Sequence, residues 1–181
     1  MKGSEKSRQS LLDGFMEECR EMVQKAKEGN KEAFGILYET VYEDMYRFAW
    51  YTLRNPEDAK DVVAETVADA FETIGNLRDT SAFRGWIFKI LSNKCKRKLK
   101  EYTKKTYVYE VYQEKSQQDL DQNLQVRQVF FSLTDEERYL VALQVFGGYR
   151  SKEIGILLHK NHNTVRSKID RALKKMEKLL Q

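Results

Sequence analysis

Charge is the first chemistry the sequence offers. From Glu57 to Glu72 there are six acids and one base, and from Arg84 to Lys105 nine bases and one acid. A third run, Lys160 to Lys178, holds seven bases and two acids. The net charge of +4 averages over this segregation. Two separated basic runs imply two contacts with a polyanion. The acidic run implies a different, basic partner. Within it, Asp61 and Glu65 stand one helical turn apart and face the same way, so both can pair with Arg or Lys. For any single run the alternative is a solvated helix face.

The sharpest local pattern lies between Ser151 and Met176. Ile154, Leu157 and Leu158 recur at helical spacing, break at His159 to Asn161, and resume with Val165, Ile169, Ala172 and Leu173. Asn161 can cap the second helix by accepting a backbone N–H. Gly155 stands where the two helices must approach closely. Two helices joined by so short a turn predict a helix-turn-helix, whose second helix enters the DNA major groove. Asn163, Thr164, Arg166, Ser167, Lys168 and Arg171 lie off the apolar stripe, and Arg166 and Lys168 suit guanine edges or phosphates. A plain helical hairpin with a wet basic face is the competing reading.

Other chemistries find little support. His159 and His162 lack a third ligand nearby, so no metal is expected. Cys95 stands among lysines, which could favour its thiolate, but a partly buried helix residue fits it better. No Gly-rich phosphate loop, nucleophilic triad or carboxylate pair in an apolar setting occurs, so neither catalysis nor a cofactor is expected. Two cysteines, Cys19 and Cys95, cannot make a disulfide framework. No apolar stretch approaches ~18 residues, and the polar start from Met1 to Ser10 does not read as a secretory signal. A cytoplasmic location with free thiols is the expectation.

Helices must position these groups. One Pro and nine Gly in 181 residues favour helix, and apolar residues recur at three and four nearly throughout. A mixed helix is expected from Leu11 to Glu28. The next runs from Lys31 to Leu53, with Phe34, Leu37, Val41, Met45 and Phe48 on its stripe. Asn55 caps a third, with Pro56 as its first residue, burying Val62, Val63, Thr66, Ala70 and Phe71. A fourth covers Ala82 to Tyr102, with Phe83, Trp86, Ile87, Ile90 and Leu91 inward. Thr134 and Glu137 form a capping box opening a helix from Asp135 to Phe146. The fold class predicted is all-α: two small helical domains joined by a flexible linker, the C-terminal one a helix-turn-helix. Residues 1–29 are an extension, 30–102 the first domain, 103–123 the linker and 124–181 the second domain. A strand over Thr106 to Tyr112 is a minor alternative.

At this point the chain resembles the extracytoplasmic-function (ECF) sigma factors. Asp58 through Thr66, DAKDVVAET, is similar to the family's DAEDLVQET signature. Phe83 through Asn93, FRGWIFKILSN, is similar to FRGWLYRIARN, and Glu153-Ile154-Gly155 through Thr164 to Ala172 is similar to EIA…GTVKSRLHRA. There are departures. Ala64 replaces a Gln, Arg150 takes a serine cap, His159 sits near the glycine of the turn, and Asn163 stands where glycine is common.

The resemblance implies a factor that binds core RNA polymerase and directs it to promoters, commonly under an anti-sigma protein, with no small-molecule substrate and no membrane insertion. It implies that Asp58, Asp61, Glu65 and Asp69 meet the polymerase. Asn76, Arg78, Asp79 and Thr80 would receive a flipped base of the minus-ten element, and Arg84, Lys89, Asn93, Lys94, Arg97 and Lys98 would hold that strand. Asn163, Thr164, Arg166, Ser167, Lys168 and Arg171 would read the minus-thirty-five element. Opening six base steps costs about 8 kcal/mol, and each captured base returns only ~1–3 kcal/mol, so the chain would need polymerase to melt DNA. A helix-turn-helix regulator with an N-terminal helical sensing domain is the alternative, and a helical adaptor with no DNA role a third.

Overall fold

The computed structural model describes residues 17–104 and 124–180. Helix α1 covers residues 17–27 of that range. Helices α2 (Lys31–Leu53), α3 (Pro56–Thr73) and α4 (Phe83–Lys104) build the first unit, with 3-10 turns at Ile74–Asn76 and Thr80–Ala82 between α3 and α4. Helices α5 (Leu124–Phe131), α6 (Asp135–Val145), α7 (Ser151–Leu158) and α8 (His162–Leu180) build the second. Among the described residues every regular element is helical. Most of the expected linker, the minor strand alternative and the first third of the N-terminal helix fall outside the described residues.

Local chemistry sets the helix ends. Asn30 accepts the Ala33 N–H at 2.8 Å and starts α2. The Asn55 side chain accepts the N–H groups of Glu57 and Asp58 at 3.0 and 3.1 Å, with Pro56 at the first position of α3. The Thr134–Glu137 capping box is complete: the Glu137 N–H donates to Thr134 Oγ1 and the Thr134 N–H to the Glu137 carboxylate. Helix α4 continues through Lys104, two residues beyond the expected end.

The first unit closes around Leu37, Met45, Phe48, Val62, Val63, Ala70, Ile87 and Leu91, all buried. Phe71, expected inward, lies on the rim instead, 38% exposed and edge-on to Phe34 at 5.2 Å. It follows Ala70 directly and so turns about 100° away from the buried row. On α4, Trp86 and Ile90 are half-buried, whereas Phe88, Ser92 and Cys95 are fully buried. The reason is that α4 is covered on two flanks, one by its own unit and one by the second.

The two units pack directly on each other. Tyr51 of α2 stands 4.7 Å from Phe130, 5.6 Å from Phe131 and 5.3 Å from Phe146 between ring centres. Phe48 meets Tyr139 at 6.0 Å. Three hydrogen bonds cross with them. The Tyr139 hydroxyl donates to the Ser92 carbonyl at 3.1 Å, the Tyr149 hydroxyl to the Gly85 carbonyl at 2.5 Å, and the Arg84 guanidinium to the Phe146 carbonyl at 2.5 Å. Burial pushes the Tyr149 phenol up to about 12. No helix among the described residues is long and apolar enough to cross a membrane.

Candidate nucleic-acid interface

Helices α3 and α4 lie side by side, and their opposite charges meet along the seam. Lys94 Nζ lies 2.7 Å from Asp69 and 3.3 Å from Glu65; Arg97 reaches Glu65 at 3.2 Å. Lys98 Nζ lies 2.7 Å from Asp58, which also accepts the Tyr102 hydroxyl. The hydrogen bond to Asp58 is the main cause that holds the Lys98 ammonium above its ordinary value. Three of the four acids expected to face polymerase thus already hold cations of α4. Glu65 and Asp69 stay half exposed in doing so, with Asp58 more covered. Asp61 is exposed and holds no cation in an ion pair among the described residues.

The cations expected on DNA therefore divide into two sets. Lys94 is 11% exposed in its side chain and turns to the acids with Arg97 and Lys98. Lys89 and Asn93 face solvent one turn apart, and Lys96 continues their row. Lys96 was missed by the sequence reading, although its spacing of three from Asn93 carries the signal. Arg84 turns toward the second unit while staying partly exposed: besides the Phe146 carbonyl it holds Asp44 at 2.8 Å and covers the Phe88 ring at 4.9 Å.

The loop before α4 is anchored by Leu77, which is buried. Asn76 and Arg78 are exposed beside it, with Thr80 half-buried. The Asp79 carboxylate accepts the Ser81 N–H at 2.9 Å and the Ser81 hydroxyl at 2.6 Å, and these bonds lower its pKa. Asp79 so fixes the turn, leaving Arg78 as the outward cation.

In the second unit, the turn between α7 and α8 has the predicted form. His159 sits in the left-handed region at φ 53°, the role a glycine would fill. Asn161 accepts the Asn163 N–H at 2.8 Å. A side-chain carbon at Gly155 would lie 2.8 Å from the Lys160 carbonyl, so only glycine allows this approach. At the Arg150 cap only the reverse half of a capping box forms, with the Arg150 N–H donating to Glu153 at 2.6 Å.

On α8, Val165, Ile169, Ala172 and Met176 are buried, and Leu173 stays partly exposed at 38%. Asn163, Thr164, Arg166, Ser167 and Arg171 are exposed. Lys168 differs: half-buried, it holds Glu136 of α6 at 2.5 Å, and Lys160 holds the same carboxylate. Glu136, not singled out from the sequence, is the hub that sets α8 against α6. Cys95 is fully buried and its thiol is pushed far up by desolvation, which leaves it inert.

Comparison with known proteins follows these two units. Residues 37–105 match the family described as sigma-70 region 2, and residues 124–176 match sigma-70, region 4. RNA polymerase sigma factor SigV of Bacillus subtilis is 25% identical over 74% of this chain and 82% of its own length. RNA polymerase sigma-H factor of Pseudomonas aeruginosa is 24% identical over 91% and 95%. ECF RNA polymerase sigma factor SigM of Mycobacterium tuberculosis is 26% identical over 84% and 79%. Among solved structures, CnrH in complex with the cytosolic domain of CnrY superposes with a TM-score of 0.62 at 22% identity, over 90% of this chain and 97% of that one. Sigma factor RpoE in complex with the anti-sigma factor NepR from Bartonella quintana gives 0.66 at 19%, over 81% and 96%. These two show a shared fold.

Proposed function

The chain belongs to the sigma-70 family, in its ECF group, and on that premise we propose how its surfaces divide the work. An ECF sigma factor binds core RNA polymerase and directs it to promoters, and it is a transcription initiation factor rather than an enzyme. The first unit, residues 30–102 with the rest of α4, docks on polymerase through the acids of α3. Asp61 leads because it is exposed, and Asp58, Glu65 and Asp69 contribute by exchanging part of their hold on α4. Such rim charges orient the encounter more than they add affinity.

The same unit holds the minus-ten strand. Arg78 and the loop from Asn76 to Thr80 receive a flipped base. Lys89 and Asn93 hold the strand along the outer face of α4. Lys94, Arg97 and Lys98 act first as struts to α3, and Arg84 as a strut to the second unit. The second unit, residues 124–181, reads the minus-thirty-five element with α8. The linker that follows α4, residues 105–123, spans up to ~60 Å fully extended, enough to place the units on separated elements, and tethering raises their joint affinity. An anti-sigma protein is proposed as a further partner, since the RpoE relative is held by one.

One observation carries this reading: the acidic face of α3 and the basic face of α4 share the unit that matches region 2, while the helix-turn-helix lies in the unit that matches region 4. Run-off transcription with sigma-free core polymerase tests it. Promoter-dependent transcripts that require the chain are expected. DNA binding that needs no polymerase, with no transcript, would support the regulator alternative instead.

A further inference from the structure

Helix α8 carries one carboxylate where a DNA-reading face should carry none. The buried row Val165, Ile169, Ala172 and Met176 fixes the opposite row as Asn163, Ser167, Asp170 and Lys174, spaced by four, three and four. Asp170 thus stands in the middle of the outward row. Its side chain is 59% exposed, and its nearest cation is Arg166 Nε at 3.9 Å, too long for a hydrogen bond. It caps nothing and braces no other helix among the described residues. Its counterpart Glu136, by contrast, is engaged by two lysines.

A carboxylate on this face opposes the phosphates and lowers affinity for every DNA sequence alike. In the major groove it has one good use, accepting a hydrogen bond from an exocyclic amine, and cytosine N4 is the base-edge donor that a carboxylate matches. Resting on the reading of α8 as the minus-thirty-five helix, we propose that Asp170 is a specificity-determining residue: it selects one cytosine in the upstream element, while Arg166, one turn back, holds the neighbouring guanine or phosphate. The charge that weakens binding everywhere is recovered at one base pair.

The test uses holoenzyme made from core polymerase and the full chain, transcribing a promoter library with a randomised upstream element. The wild-type chain should favour cytosine at one position by about tenfold. Asp170→Ala should flatten that position alone and raise binding to unrelated DNA at low salt. Asp170→Asn should move the preference toward adenine, whose N6 and N7 match an amide. Lys174→Ala should weaken all sequences uniformly. A library profile for Asp170→Ala that superposes on wild type overturns the assignment of Asp170 while α8 still reads. If Arg166→Ala and Asn163→Ala also change no position, α8 does not read the upstream element, and the underlying reading falls with it.

Discussion

Two seams hold this molecule, and they are built from opposite materials. Between α3 and α4 the facing groups are Asp58, Glu65 and Asp69 against Lys94, Arg97 and Lys98, most of them partly in water. Between the two units the facing groups are Phe48, Tyr51, Phe130 and Tyr139, all buried, with Phe146 half-buried beside them. Ion pairs in solvent contribute about 0–1 kcal/mol each and are screened by salt. A buried aromatic side chain contributes several times more. The charged seam is therefore the one whose groups can be lent to polymerase or DNA at small cost, and the aromatic seam is the one that sets the resting arrangement.

The largest way to break that contrast is at Tyr51, 2% exposed and touching three rings of the second unit. Tyr51→Ala should cost about 3 kcal/mol or more, read as a lower midpoint in guanidinium unfolding. A loss no larger than that of an exposed substitution would show that the seam is not where the stability lies.

Next in size is the effect of reversing Asp61 and Glu65 together to lysine. The lysine introduced at position 65 then repels Lys94 and Arg97, yet the fold should lose only about 1 kcal/mol, because position 65 is half exposed and Lys94 keeps its closer partner Asp69. Core polymerase titrated with labelled chain should bind at least about tenfold more weakly. Unchanged holoenzyme affinity would remove α3 from the docking surface.

What the sequence made legible follows the same division. Helix periodicity, the Asn55 and Asn161 caps, the Thr134 box and the close approach at Gly155 were all readable because each depends on neighbours within a few positions. The left-handed turn at His159 was foreshadowed by the family's glycine there. The aromatic seam was not readable. Tyr51, Phe88 and Tyr139 obey the same spacing whether they pack within a unit or across two, so periodicity alone predicts a one-sided α4 and does not foresee Arg84 holding Asp44 and the Phe146 carbonyl. The pairing of α3 acids with α4 bases was hidden for a related reason: each run looks like a free surface until the helices are set side by side. Lys168 likewise looked like a base reader, and only its neighbour across the fold, Glu136, makes it a brace.

A smaller effect sharpens the aromatic side. The Tyr139 hydroxyl donates to the Ser92 carbonyl in a buried setting. Tyr139→Phe should keep the ring packing and lose about 1 kcal/mol, leaving that carbonyl short of a partner. Equal stability of the two proteins in urea would mean that packing alone holds the seam.

The smallest effect returns to charge, in the second unit. Lys160 first, then Lys168, holds the Glu136 carboxyl below the usual glutamate range. A depressed carboxylate stabilises above its unfolded pKa, about 4.3, and that stabilisation is lost as pH falls through the lower folded value. With Glu136 43% exposed in its side chain, the amount at neutral pH is discounted to a few tenths of a kcal/mol up to about 1. Glu136→Gln should therefore be slightly less stable than wild type at neutral pH, and the two should converge in acid. Convergence at high salt as well would identify the cause as Coulombic, since screening removes an exposed pair but not a packing contact. A gap that persists in both conditions would assign Glu136 a packing role. If instead the gap closes in acid and at high salt, Lys168→Ala should weaken upstream-element use by loosening α8 against α6 rather than by removing a DNA contact.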